Sequence, residues 1–153
     1  LIIIEIFMMI NVLKYLSLNL LCNFLVACIF NFLNSNFSSE FIIDTENKTF
    51  EDINSKFIFF LLVALIMPII ETFILIYLPY KFFKRVDFPK GLAIFHIGLL
   101  FAIMHTHSAY YVCVTFFSGI IYGLAIYQIP KYKFWSVTLI HCLKNIIALI
   151  LTS

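Results

Sequence analysis

The segment from residue 57 to residue 80 is apolar almost throughout and carries a single charged side chain, Glu71. A stretch of roughly 20 apolar residues is long enough to cross the hydrocarbon core of a bilayer as a helix. The chain as a whole is 63% hydrophobic and only 12% charged, whereas soluble domains are about 25% charged. These values exclude a water-soluble globular protein and predict a one-domain integral membrane protein.

Similar apolar stretches recur along the chain, and together they predict an all-α, multi-pass bundle of about five transmembrane helices. The predicted spans are residues 15–33, 57–80, 92–106, 109–129 and 134–151. Residues 1–13 form a shorter apolar piece that either lies at the membrane interface or extends the first helix. We divide the chain into an N-terminal membrane segment with an outer loop, residues 1–56, and a helical core, residues 57–153.

Charged residues in the loops predict which side of the membrane each loop occupies. The loop of residues 34–56 is acidic, whereas the loop of residues 81–90 carries four basic residues against one acidic residue. Because short cytoplasmic loops are enriched in Lys and Arg, the second loop is predicted to be cytoplasmic and the first to be outside. Lys131 and Lys133 agree with this arrangement, since they follow two spans later. The net charge of +2 gives no reason to expect a nucleic-acid partner.

Several polar side chains fall inside the predicted spans, where an ionised group costs about 2.5–3.5 kcal/mol at the centre of a helix. Such residues normally face the interior of a bundle and serve a function, so we expect several of them to share one site. His141 and Asn145 are four residues apart and therefore point to the same face of one helix. The full set is Glu71, His96, His105, His141, Lys144 and Asn145.

These residue types match the requirements of peptide hydrolysis. A carboxylate and an imidazole that share a small cavity can hold one water molecule and accept its proton. A second imidazole and a carboxamide can donate hydrogen bonds to the oxyanion that forms when water attacks a carbonyl. Counting about 1.5 Å per residue from the predicted cytoplasmic end of each span places Glu71 roughly 14 Å deep, His141 about 10 Å deep and His105 about 20 Å deep. The three groups meet only if a helix bends, tilts or begins later than predicted.

Three short motifs on successive spans resemble those of the CPBP family, which includes the type II CAAX prenyl proteases and bacterial bacteriocin-processing or immunity proteins. The family patterns are PxxEExxxR, FxxxH and HxxxN. The corresponding segments here are residues 68–76, 101–105 and 141–145. The resemblance implies a four-helix intramembrane endopeptidase core in a bacterial cell membrane.

The resemblance also implies roles for individual residues. Glu71 would activate the water and His105 would help to hold it. His141 and Asn145 would stabilise the oxyanion, and Phe101 would form an apolar wall that contacts the substrate. The partners implied are the lipid bilayer and a membrane-associated peptide or protein substrate. A mechanism without metal is favoured, and zinc bound by Glu71, His105 and His141 is the other possibility.

The first motif departs from the family pattern at two positions. Thr72 stands where the family has a second acidic residue, and Ile76 stands where it has Arg. These departures favour the main alternative, a non-catalytic immunity or scaffold protein that binds a toxin or partner peptide. Two further alternatives are a buried ion pair between Glu71 and Lys144 and a proton or ion pathway. His96 matches no motif and is predicted to stabilise helix packing.

Gly119 and Gly123 have the GxxxG spacing that allows two helices to approach closely. We interpret this pair as a packing groove within the bundle, and we regard a contact between two copies of the chain as the less favoured interpretation. The four cysteines lie in apolar runs and are interpreted as small hydrophobic residues. The sequence leaves the oligomeric state open.

Overall fold

The structure, a computed structural model, describes residues 2–36, 53–106 and 108–152. The predicted outer-loop residues 37–52 and His107 lie outside the described residues. The described residues form five helices: α1 (Ile2–Asn36), α2 (residues 53–85), α3 (Lys90–Ile103), α4 (Ala109–Gln128) and α5 (Lys133–Thr152). The prediction of an all-α membrane bundle is confirmed.

Four of these helices are long and apolar enough to span a membrane, over Glu5–Leu33, Phe57–Arg85, Ala109–Gln128 and Lys133–Leu151. Residues 2–13 extend the first helix, which settles the choice left open by the sequence. Helix α3 has 14 residues and ends at Ile103, so it begins two residues earlier and ends three residues earlier than its predicted span, residues 92–106. At about 1.5 Å per residue it rises roughly 21 Å, less than the hydrocarbon core of about 30 Å.

Helix α2 is continuous but contains two widened π-helical segments, Leu62–Ile66 and Thr72–Tyr77. Each ends shortly before a proline, Pro68 or Pro79. Proline lacks an N–H and its ring collides with the carbonyl four residues earlier, so a regular α-helical turn is not available there. A wider turn keeps the chain helical, and it places Glu71 between two irregular segments.

Helix α1 belongs to the same hydrophobic core as the other helices, since Tyr15 and Ile126 belong to one buried cluster. Side-chain hydrogen bonds also join α1 to α4. Tyr15 Oη donates to Gln128 Oε1 at 2.6 Å, and Ser118 Oγ donates to Asn19 Oδ1 at 3.0 Å. The division at residue 56 remains a prediction, although α1 packs directly on the core.

The two basic connections lie at the same end of the bundle. The Nζ atom of Lys90, at the start of α3, lies 5.8 Å from the centre of the Tyr127 ring near the end of α4. The Nζ atom of Lys133, at the start of α5, lies 5.5 Å from the centre of the Tyr80 ring on α2. This arrangement agrees with the prediction that both connections face the cytoplasm.

Gly119 and Gly123 face α3 of the same chain. A Cβ atom added at Gly119 would lie 2.7 Å from Phe101 Cβ and 2.9 Å from Gly98 Cα, while one at Gly123 would lie 3.3 Å from Ile94 Cγ2. The groove within the bundle therefore accounts for both glycines. The close approach of α3 to α4 also fixes the position of Phe101, which is 1% exposed.

We expect Gly119→Ala to lower the free energy of unfolding by about 1–3 kcal/mol, because the added methyl group collides with the backbone of α3. Thermal unfolding of the protein in detergent or nanodiscs measures the change. Gly91→Ala is the matched control, since a Cβ at Gly91 meets nothing within 4 Å. Equal stability of the two variants would contradict the close packing of α3 on α4.

Candidate active site

The carboxylate of Glu71 faces two imidazoles that come from different parts of the chain. Glu71 Oε1 lies 3.7 Å from His105 Nε2, and Glu71 Oε2 lies 3.5 Å from His141 Nε2. The Glu71, His105 and His141 side chains are 19%, 14% and 3% exposed. The structure thus brings these three predicted residues to one place, slightly accessible from outside the protein.

The difference in depth expected from residue counting does not keep the three groups apart. His105 lies beyond the end of α3, in the turn where its N–H bonds to Ala102 O at 2.9 Å. Glu71 lies on a helix with two widened turns. Counting assumes straight α-helices that cross the membrane side by side, so it gives poor relative depths here.

Backbone contact fixes the tautomer of His105. Its Nδ1 lies 2.6 Å from Phe101 O. A carbonyl oxygen can only accept, so Nδ1 carries the proton. In the neutral imidazole, Nε2 is then an acceptor, and it points toward Glu71, whose ionised carboxylate also only accepts. A water molecule could donate one hydrogen to each of these two groups.

His141 has a different neighbour at its Nδ1. Thr72 Oγ1 lies 3.3 Å from His141 Nδ1, and Thr72 is fully buried. When the Thr72 hydroxyl donates to Nδ1, the neutral ring carries its proton on Nε2, the nitrogen that faces Glu71. His141 would then present a donor to the site where His105 presents an acceptor. The sequence marked Thr72 only as a departure from the family pattern.

Aromatic rings pack against both imidazoles. The Phe101 ring stacks on His105 at a centroid distance of 4.8 Å and meets the edge of His141 at 5.4 Å. The Tyr122 ring lies 4.9 Å from His141 and is fully buried. Phe101 therefore packs against both imidazoles, while its role as an apolar wall that contacts the substrate stays a prediction. Sequence reasoning missed Tyr122, since nothing in its local pattern separates it from other aromatic residues.

Asn145 lies one turn after His141 on α5 and contacts α2 eight residues before Glu71. Its Nδ2 donates to Val63 O at 3.1 Å, a backbone carbonyl of the first widened turn. His96 lies elsewhere, with its Nδ1 2.7 Å from Leu92 O and its ring beside Phe88. Among the described residues, the ion-pair contacts of Glu71 are with the two histidines and do not include Lys144.

The geometry of these groups also bears on the predicted choice between metal and no metal. Within residues 2–36, 53–106 and 108–152, no group of three or more His, Cys, Asp or Glu side chains is arranged to hold a metal ion. The Nδ1 atoms of His105 and His141 contact protein atoms, and their Nε2 atoms face Glu71. Histidines that bind a metal through one nitrogen commonly bond the other nitrogen in this way, so the choice between a metal-free site and zinc stays a prediction.

The fold and the site define a class: a helical integral membrane protein in which one carboxylate faces two imidazoles between the helices. The family profile described as "Rce1-like: Type II CAAX prenyl endopeptidase Rce1-like" matches residues 53–147, more than half of the chain. The chain belongs to this family, which confirms the resemblance inferred from the three motifs. At the level of the family it is a CAAX-type intramembrane protease. No curated protein and no solved structure matches the chain.

Proposed function

We propose that this protein is an intramembrane endopeptidase that hydrolyses a peptide bond of a membrane-associated substrate. The observation that carries the proposal is the convergence of one carboxylate and two imidazoles, at 3.5 and 3.7 Å, in a helical bundle of this family. The proposed substrate is a peptide held close to the membrane by a lipid modification or an apolar segment.

Glu71 is the proposed general base. A water that donates its hydrogens to Glu71 and to His105 Nε2 keeps a lone pair free to attack a carbonyl carbon. The carboxylate accepts one proton of the water as the carbon–oxygen bond forms, and it later delivers that proton to the leaving amine. The tautomer of His105, set by Phe101 O, supports this role because its Nε2 can accept.

His141 is the proposed donor to the oxyanion. With its proton on Nε2, the neutral ring offers a hydrogen bond in a site that excludes most water, where such a bond stabilises developing charge strongly. Asn145 remains proposed as a second donor, since its Nδ2 carries two hydrogens and the bond to Val63 O uses one. Phe101 is proposed to contact the substrate beside the imidazoles.

The family match does not favour the alternative of a non-catalytic binding protein. At the two positions that suggested this alternative, the structure shows ordinary packing: Thr72 contacts His141, and Ile76 is fully buried in the core. Position 76, where the family has Arg, therefore faces the hydrophobic core of the bundle. The departures at Thr72 and Ile76 therefore leave the carboxylate and both imidazoles in place.

The proposal is tested with the purified protein in proteoliposomes. The substrates are a farnesylated peptide ending in a CAAX sequence and the same peptide without the lipid, and mass spectrometry identifies the cleavage products. We expect cleavage of the lipidated peptide, unaffected by a zinc chelator. No cleavage of either peptide would contradict a CAAX-type substrate, and loss of activity with chelator, restored by zinc, would overturn the metal-free mechanism.

We expect Thr72→Val to reduce kcat roughly two- to tenfold, because the isosteric side chain cannot donate to His141 Nδ1 and the Nε2–H tautomer loses its support. Thr72→Ser keeps the hydroxyl and should retain activity near that of the wild type. Thr138→Val is the matched control, since Thr138 Oγ1 donates to Phe134 O within its own helix. Equal activity of the Val and Ser variants at position 72 would rule out this role.

A further inference from the structure

The first widened turn of α2 leaves one backbone carbonyl without a donor from its own helix. The N–H of Met67 bonds to Leu62 O, five residues earlier, instead of to Val63 O, four residues earlier. The residue five positions after Val63 is Pro68, which has no N–H. Val63 O therefore has no backbone donor at either the α-helical or the π-helical spacing.

Asn145 supplies the missing donor from a different helix. Its Nδ2 lies 3.1 Å from Val63 O and forms a hydrogen bond between α5 and α2. A carbonyl left unpaired inside a membrane bundle is costly, because neither lipid nor bulk water can satisfy it. Asn145 follows His141 by one turn of α5, and Pro68 precedes Glu71 by three residues, so this bond joins the two helices that carry the site.

We propose that Asn145 is a positioning residue that takes the place of the N–H missing at Pro68, and so fixes Glu71 on α2 against His141 on α5. The effect on cleavage rests on the proposed function, whereas the effect on helix packing does not. The role is separate from oxyanion stabilisation, because one amide hydrogen bonds to Val63 O and the other remains available.

A double-mutant cycle with Asn145→Leu and Pro68→Ala tests the proposal on the full chain in nanodiscs. Asn145→Leu should lower Tm by several degrees and reduce kcat about tenfold or more, since Val63 O loses its partner. Pro68→Ala restores an N–H at the position that a helix would use to bond Val63 O. In that background Asn145→Leu should lower Tm much less, and its loss of kcat should be at least about threefold smaller. If Pro68→Ala does not fold, Pro68→Ser restores the same N–H.

Asn11→Leu is the control, because Asn11 Nδ2 donates to Phe7 O inside α1, where no proline is present. It should change neither Tm nor kcat in either background. An equal loss of Tm from Asn145→Leu with and without Pro68 would overturn the proposal. An unchanged Tm with a large loss of kcat would also overturn it and would assign Asn145 to the oxyanion alone. If the wild type cleaves nothing, the proposed function fails, and the Tm cycle still reports on positioning.

Discussion

Replacing Glu71 with Gln is expected to abolish cleavage, with a fall in kcat/KM of about 10²–10⁴-fold or more. The amide is nearly the same size as the carboxylate but cannot accept a proton from water at neutral pH. It also places a donor NH₂ or a weaker acceptor opposite His105 and His141, which disturbs the proposed water position. Cleavage of the lipidated peptide in proteoliposomes measures the loss.

Folding must be shown to survive this substitution. Glu71 is 19% exposed, and the two imidazoles that it contacts can be neutral. Glu71→Gln should therefore leave expression and Tm close to those of the wild type. Glu5→Gln is the matched control, because Glu5 lies exposed on α1, away from the site. A Glu71→Gln protein that still cleaves at the wild-type rate would rule out a glutamate-activated water.

The second large effect is expected at His141. His141→Ala removes the donor proposed for the oxyanion, and kcat should fall about 10²–10³-fold while KM changes little, because the lost interaction exists mainly in the transition state. Steady-state kinetics with the same peptide separates the two parameters. Unchanged kcat with a raised KM would instead assign His141 to substrate binding.

His96→Ala is the matched control for this experiment. His96 is exposed, its Nδ1 lies beside a carbonyl of its own helix and its ring lies beside Phe83 and Phe88, so its loss should leave both kinetic parameters unchanged. His141 is buried against Tyr122, and removal of its ring leaves a cavity. His141→Gln fills more of that space and offers an amide donor, so it should recover part of the lost kcat if donation is the function.

Local pattern was enough to predict the membrane class and to single out the carboxylate and the two imidazoles that the structure brings together. Apolar runs with few charges report directly on the solvent that surrounds a helix, and spacing of four residues places His141 and Asn145 on one face. The same reasoning placed the third span at residues 92–106, whereas the helix is Lys90–Ile103, because sequence pattern locates the ends of a helix only to within a few residues. It also misjudged relative depths, since the two prolines convert turns of α2 into wider ones.

The sequence by itself determined that this chain folds into helices within a membrane, and which ionisable side chains lie in its apolar segments. Only the tertiary structure decided what each group contacts. The Thr72 contact with His141 joins residues 69 apart in sequence, and the Asn145 bond to Val63 O joins residues 82 apart. Periodicity describes one helix at a time, whereas these contacts depend on how neighbouring helices are rotated and placed against one another.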